Sequence, residues 1–247
     1  MSLTGSERAQ AVQAMFARIA HRYDLMNRLM TAGQDLVWRR EVIRRAALPA
    51  SGRILDLGAG TGDLAFEALR QHPDCRPLAA DLTLEMMRVG RRRVDFSRPG
   101  RKFGGESVSW CAADALRLPF PEASFDAVVS GFLLRNVADV RQALAEQARV
   151  LRPTGWLIAL DTTRPRPSLL FPLVQLHLRL VSPLLGRLVA GQPEAYHYLP
   201  DTTQAFLSAE QLAARMDEAG LVEVGFLVKM FGTVAIHWGR KPKDASP

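Results

Sequence analysis

Ile54-Leu55-Asp56-Leu57-Gly58-Ala59-Gly60-Thr61-Gly62-Asp63 is the stretch that decides the fold. Its apolar half reads as a strand carrying an acid, and glycine then falls on every second residue. A strand that ends this way lets a ligand lie against bare backbone, because glycine has no side chain to hold it off. A helix follows, and its first N–H groups, unpaired within the helix, face whatever lies at the loop. The spacing is G-x-G-x-G, not the G-x-G-x-x-G of a dinucleotide loop. Glycine-rich turns also occur with no ligand, so the neighbouring segments have to carry the rest.

Outward from this loop the chain alternates strand and helix. Strands are predicted at Arg53–Leu57, Pro77–Ala80, Val108–Ala112, Phe125–Ser130 and Trp156–Leu160. Helices are predicted at Gly62–Gln71, after a Thr83 cap, and at Val140–Leu151, with Arg152-Pro153-Thr154-Gly155 as a turn. This order implies an α/β fold with a parallel sheet. Ser208 and Gln211 make a capping-box pattern for a helix that Gly220 ends. Leu221–Met230 and Thr233–Trp238 then read as an antiparallel C-terminal hairpin, which brings the mostly parallel sheet to seven strands.

Residues 6–48 show near-helical apolar spacing with a break at Gly33, and Pro49 and Gly52 close that segment. Residues 163–200 interrupt the alternation. Leu169 to Gly191 is apolar but contains Pro172, Pro183, His177, Arg179 and Arg187, so two short amphipathic helices are predicted rather than a membrane span. The chain reads as one domain, 1–247, with a helical N-terminal cap at 1–50 and an apolar insertion or lid at 163–200.

The chain has 247 residues, 48% of them hydrophobic and 23% charged, enough for a real core. Cys75 and Cys111 lack metal-ligand spacing and point to no disulfide framework, which favours a reducing, cytoplasmic compartment and no metal. The polar start Met1–Gln10 is not a signal peptide. A net charge of +7 favours anionic partners. Arg88, Arg91, Arg92, Arg93, Arg98, Arg101 and Lys102 concentrate it. They read as a solvated helix face and loop, or as a patch for anionic lipid at the inner face of a membrane. No aromatic residues interleave them as an RNA surface requires, so no nucleic acid is expected.

Ligands of open α/β sheets sit beyond the carboxyl ends of the strands, and acids fall there. Gly58, Gly60 and Gly62 admit a ligand to the backbone. Asp81 can accept both hydroxyls of a ribose, and Asp114, beside Ala115, can accept from an adenine amino group. Asp56 and Asp63 would bias the site toward sulfonium and ammonium charge. Any one such acid is often a turn or cap residue; three at successive strand ends after this loop are harder to dismiss. The set suits S-adenosylmethionine better than NAD, although Asp81 would serve either ribose.

Several segments together resemble the ubiquinone/menaquinone biosynthesis C-methyltransferases. They are Phe16 to Asn27 with its Tyr23-Asp24 pair, the continuation to Trp38-Arg39-Arg40, and Asp56 to Asp63. Leu118 to Pro121, Ser124 to Asp126, Leu134-Arg135-Asn136-Val137, Tyr196 to Leu199 and His237-Trp238-Gly239 complete the set. The resemblance implies a Rossmann-like class I methyltransferase fold and methyl transfer from S-adenosylmethionine to a prenylated quinol ring. Demethylmenaquinol is the first choice, with 2-methoxy-6-polyprenyl-benzoquinol or another lipid or small molecule as alternatives, and a homodimer is one option for assembly. It also implies cofactor contacts at Thr61, Asp81, Asp114, Ala115 and Gly131. The chain departs from the family pattern at Leu133, where glycine is usual, at Thr154-Gly155, at Asp161-Thr162-Thr163 and after Leu199.

A quinol carbon becomes nucleophilic when its neighbouring hydroxyl loses a proton, yet a phenol of pKa ~10 is mostly protonated at neutral pH. Arg135, with Asn136, is the candidate to stabilise the phenolate, since guanidinium is a poor base; the plainer role for Arg135 is a structural ion pair. Tyr23, Asp24 and Asn27 would close over the cofactor, or simply pack the helix surface. His21, His197 and His237 have the pKa range for proton transfer, though a lone histidine is more often structural. Rival readings are a lipid-headgroup methyltransferase, a protein that methylates or holds RNA, and a dehydrogenase.

Overall fold

The computed structural model describes residues 13–93, 108–164 and 206–244. The start Met1–Gln10, the cluster Arg98, Arg101 and Lys102, His197, and the predicted insertion beyond Arg164 lie outside these residues. Strands β1 (Arg53–Leu57), β2 (Arg76–Asp81), β3 (Ser109–Ala112), β4 (Phe125–Gly131), β5 (Leu151–Thr162), β6 (Val222–Lys229) and β7 (Val234–Arg240) form one sheet. Its order is β3-β2-β1-β4-β5-β7-β6. The first five strands pair in parallel, and β7 runs antiparallel to both β5 and β6.

Both faces of the sheet are buried at its central strands, which explains their near-continuous apolar runs. Alternation still sorts the side chains. Ile54, Ala127, Val129, Ile158 and Leu160 enter one core with α2 (Gln34–Arg45) and α3 (Asp63–Gln71). Leu55, Leu57, Val128, Leu157 and Ala159 enter the other with α5 (Val140–Val150) and α6 (Ala209–Glu218). Each fully buried aliphatic side chain contributes about 1.5–3 kcal/mol, so the middle of the sheet is the rigid frame for the loops at its ends. The Ser208–Gln211 capping box is formed, and Gly220, at φ +82°, follows the end of α6.

Helical residues 13–19, α1 (Tyr23–Met30) and α2 make up the N-terminal cap. Gly33 breaks it at φ +76°, as its position in the sequence implied. Residues Arg152-Pro153-Thr154-Gly155 do not form a turn ahead of a strand at Trp156. They belong to β5, where pairing with β4 jumps from Phe125↔Leu151 to Ala127↔Trp156. Thr154 takes φ +67°, and Lys241 bonds both Thr154 N and Gly155 O, so the segment is a bulge held by neighbouring backbone.

Helix α4 (Leu84–Arg91) approaches β3 through Gly90. A Cβ there would stand 2.4 Å from the Trp110 ring and 2.6 Å from the Thr61 carbonyl oxygen. Because one neighbour is backbone, Gly90→Ala is expected to lower stability by about 1–3 kcal/mol, despite alanine's better helix propensity, as a lower urea midpoint at unchanged slope.

Candidate functional site

The loops after β1, β2, β3 and β4 surround a cavity of about 470 Å³, within the range of small-molecule sites. It lies where the strand order reverses, beside β1 and β4, the position that open α/β sheets reserve for ligands. Gly58 (φ +66°) and Gly60 (φ +57°) line it, and a Cβ on Gly58 would come 2.8 Å from Leu133 Cδ1. Glycine is therefore required here by space as well as by backbone angle.

Asp81 closes β2 and holds this loop. Its Oδ2 accepts from the Gly60 N–H at 2.7 Å and its Oδ1 from the Thr83 N–H at 2.7 Å. The Thr83 side chain and the Leu82 backbone also bond this carboxylate, and its remaining acceptor capacity faces the cavity that Asp81 lines. Burial pushes the carboxyl above its ordinary pKa, against the pull of those donors. The expected Thr83 side-chain cap on α4 is absent; Asp81 engages both the backbone N–H and the side chain of Thr83 instead. Asp114 accepts from the Leu116 N–H at 2.9 Å, an Asx turn that sets Ala115 on the cavity wall. At Gly131 only main chain faces the cavity.

The cap supplies the opposite wall through Gln13, Phe16 and Tyr23. Tyr23 is half-buried; desolvation pushes its phenol up, opposed by the neighbouring Asn27 amide and by the Arg135 charge. Asn136 lines the cavity too, its Nδ2 donating to the Phe132 carbonyl at 2.9 Å. Gly58, Gly60, Asp81, Asp114, Ala115, Gly131, Tyr23 and Asn136 thus meet around one space.

Thr61, Gly62 and Arg135 stand behind its walls. Thr61 is 2% exposed, and its hydroxyl donates to Asp24 at 2.7 Å. Gly62 packs under Trp110. The Arg135 guanidinium lies 5.2 Å from the ring of Phe132, a lining residue. Its Nη1 is buried without a hydrogen-bond partner, and Arg135 makes no ion pair among the described residues.

Asp56 and Asp63 do not face the cavity. Asp56 is buried, accepts from the Ala65 N–H at 3.0 Å and holds the first turn of α3. Asp63 is bound by Arg93 at 2.5 Å and Arg39 at 3.2 Å, so Arg93 belongs to the interior and not to a solvated patch. His237 is fully buried on β7, with Nε2 2.9 Å from the Ala209 carbonyl, and burial pushes its pKa down to about 4. It takes no part in this cavity, and His21 is exposed. Gln13, Met86 and Leu133 were not anticipated as lining. Leu133 had left a signal, as the leucine in a glycine position, and it fills the space above Gly58.

The model of the ubiE/COQ5 methyltransferase family matches residues 3–241. The ubiquinone/menaquinone biosynthesis C-methyltransferase UbiE of Desulfotalea psychrophila is 44% identical over 230 residues, 93% of this chain and 90% of that protein. The demethylmenaquinone methyltransferase of Thermus thermophilus is 42% identical, over 92% of this chain and 100% of its own. Among solved structures, a Thermotoga maritima S-adenosylmethionine-dependent methyltransferase, described as a possible histamine N-methyltransferase, superposes with a TM-score of 0.60 at 21% identity. The match covers 93% of this chain and 99% of that one, and it bears on the fold alone.

Asp56 has a consequence for pH. Burial, more than the nearby Asp63 charge, raises its pKa from 3.8 to about 7. Between those values the folded chain binds more protons than the unfolded one, so this group's contribution to stability falls as pH rises and is fully lost above about pH 7. Asp56→Asn, which keeps an acceptor for Ala65, is expected to flatten that decline, measured as urea midpoints on either side of the interval.

Proposed function

The chain belongs to the ubiE/COQ5 methyltransferase family, and on that premise we propose that it methylates a ring carbon of a prenylated quinol, with demethylmenaquinol the first substrate. It is an S-adenosylmethionine-dependent C-methyltransferase. The dehydrogenase and RNA-binding readings are set aside with that membership. Relatives carry both menaquinone and ubiquinone names, which keeps 2-methoxy-6-polyprenyl-benzoquinol as the alternative substrate.

The residues present fit the cofactor. Bare main chain at Gly58, Gly60 and Gly131, the spare acceptor sites of Asp81, and the Asp114–Ala115 turn suit a ribose, an adenine amino group and a short chain. Thr61 and Gly62 would act through backbone alone. The bound cofactor supplies a methyl group on a cationic sulfur.

One observation carries the acceptor side. Arg135 Nη1, Asn136 Oδ1 and Asn27 Nδ2 are buried without partners, whereas buried polar groups are ordinarily bonded. Tyr23 ties them to one place, since its phenol stands beside the Asn27 side chain and in the field of Arg135. A quinol hydroxyl facing these groups would meet donors and one acceptor. Arg135 stabilises the phenolate as the proton leaves, acting by charge and not as base. Tyr23, held protonated by its raised pKa, donates. The cap excludes water, which strengthens each of these interactions.

Contact with an anionic membrane surface is part of the proposal. No helix among the described residues is long and apolar enough to cross a membrane. The outer face of the cap instead exposes Leu25 (50%), Leu29 (43%) and Val37 (59%), with Arg28 and Arg40 also exposed. Its acids Asp24, Asp35 and Glu41 are all ion-paired, so the outward charge is cationic. Apolar side chains among arginines suit a surface of anionic lipid.

Incubation with methyl-labelled cofactor and demethylmenaquinol is expected to add one labelled methyl to the quinol, read by mass spectrometry; label in other lipids alone would sink the proposal. Arg135→Ala is expected to lower kcat about 10²–10³-fold with cofactor affinity unchanged. Asp81→Ala should do the reverse, weakening cofactor binding in calorimetry.

A further inference from the structure

Behind the cavity wall, Thr61 sits between Gly60, which lines the cavity, and Gly62, which precedes α3. Its hydroxyl and its carbonyl are engaged away from the cavity. The hydroxyl donates to Asp24 Oδ1 at 2.7 Å, and the carbonyl accepts from Arg93 Nη1 at 3.1 Å. Arg93 also binds Asp63 at 2.5 Å and stands 3.6 Å from Asp24 Oδ2. Asp63 continues to Arg39 at 3.2 Å, and Arg39 to the fully buried Asp35. One polar chain therefore joins α1 and α2 of the cap to the back of the glycine loop.

We propose that Asp24 and Thr61 are the latch of this chain: Asp24 is a positioning residue that touches neither ligand, and through Thr61 it sets the cofactor loop and the acceptor wall as one unit. On the cap side, Asp24 lies next to Tyr23 and one turn before Asn27 in the eight-residue α1. Holding the Asp24 carboxylate therefore sets the angle at which Tyr23 meets the cavity. On the loop side, fixing Thr61 fixes Gly60, whose N–H reaches Asp81.

Apolar packing does not do this work for α1. Met26 and Ile19 form a small cluster with Met15, Phe16, Tyr23 and Met30, separate from both cores of the sheet. The polar chain is shielded enough to act. The Arg39, Asp63, Asp24 and Arg93 side chains are 8%, 12%, 23% and 27% exposed, less than in surface pairs, which water screens. Loss of one member leaves the next charge uncompensated. Coupling between two sites is reciprocal, so a latch predicts that damage on either side registers on both ligands.

This inference rests on the methyltransferase reading, and its test separates the two. The full chain is titrated with S-adenosylmethionine by calorimetry, and KM is measured with a short-tailed, soluble demethylmenaquinol. Asp24→Ala and Thr61→Val are each expected to weaken cofactor affinity about five- to twentyfold and to raise the quinol KM as well. The double variant should be no worse than the poorer single one. Asp24→Asn, which keeps shape and an acceptor oxygen, should fall between wild type and Asp24→Ala, and Arg93→Lys should recover part of the loss in Arg93→Ala. A loss of cofactor affinity in Thr61→Val that leaves the quinol KM untouched, or single effects that multiply in the double variant, would overturn the latch. Wild type that binds no cofactor would overturn the reading beneath it.

Discussion

The site depends on main chain coming within reach of a ligand at Gly58 and Gly60, and on one carboxylate that keeps it there. Asp81 accepts from Gly60 and Thr83 with separate oxygens, tying the loop after β1 to the start of α4. The loop is thereby fixed by a group that also faces the cavity. Such an arrangement is ready before a ligand arrives, and preorganisation lowers the cost of binding. It also explains why a buried acid is tolerated: N–H donors compensate part of the desolvation.

Charge in this molecule is sorted by depth. The cap turns its carboxylates inward, where Asp24 and Asp35 meet arginine, and leaves other arginines outside along with leucine and valine. The two faces of α1 then have different tasks. Tyr23, Met26 and Asn27 look in, while Leu25, Arg28 and Leu29 look out. The proposed membrane contact would use the outer face of α1, and the proposed quinol site its inner one.

Regular pattern made most of the fold legible. Strand alternation, the glycine loop, the Gly33 break and the Ser208 capping box each rest on local chemistry, which is written in neighbouring residues. The bulge in β5 was not legible, because Pro153 and Gly155 signal a turn wherever they occur. Only pairing with β4 and Lys241, distant in sequence, makes that turn part of a strand. The candidate site divides in the same way. Residues at strand ends could be placed on the cavity from topology. The directions of Thr61 and Asp63 could not, since they depend on partners brought in by α1, α2 and Arg93, just past α4, and Asp56 turns instead to the Ala65 N–H in the first turn of α3. Arg93 shows this most clearly: in sequence it is one arginine in a basic run, and in space it lies over the Phe66 ring with its charge on Asp63.

The sheet order has a consequence for how the chain is made. β7 lies between β5 and β6 although it follows both in sequence. As a ribosome delivers the polypeptide, β6 emerges before β7, its one neighbour among the described strands, with Val222, Leu227 and Val228 on it. For that interval two unsatisfied strand edges coexist, a condition that invites intermolecular pairing. The cavity is less exposed to this hazard, because among the described residues every group that lines it precedes Asp139. Its walls can gather while the far edge of the sheet still waits for its last strand.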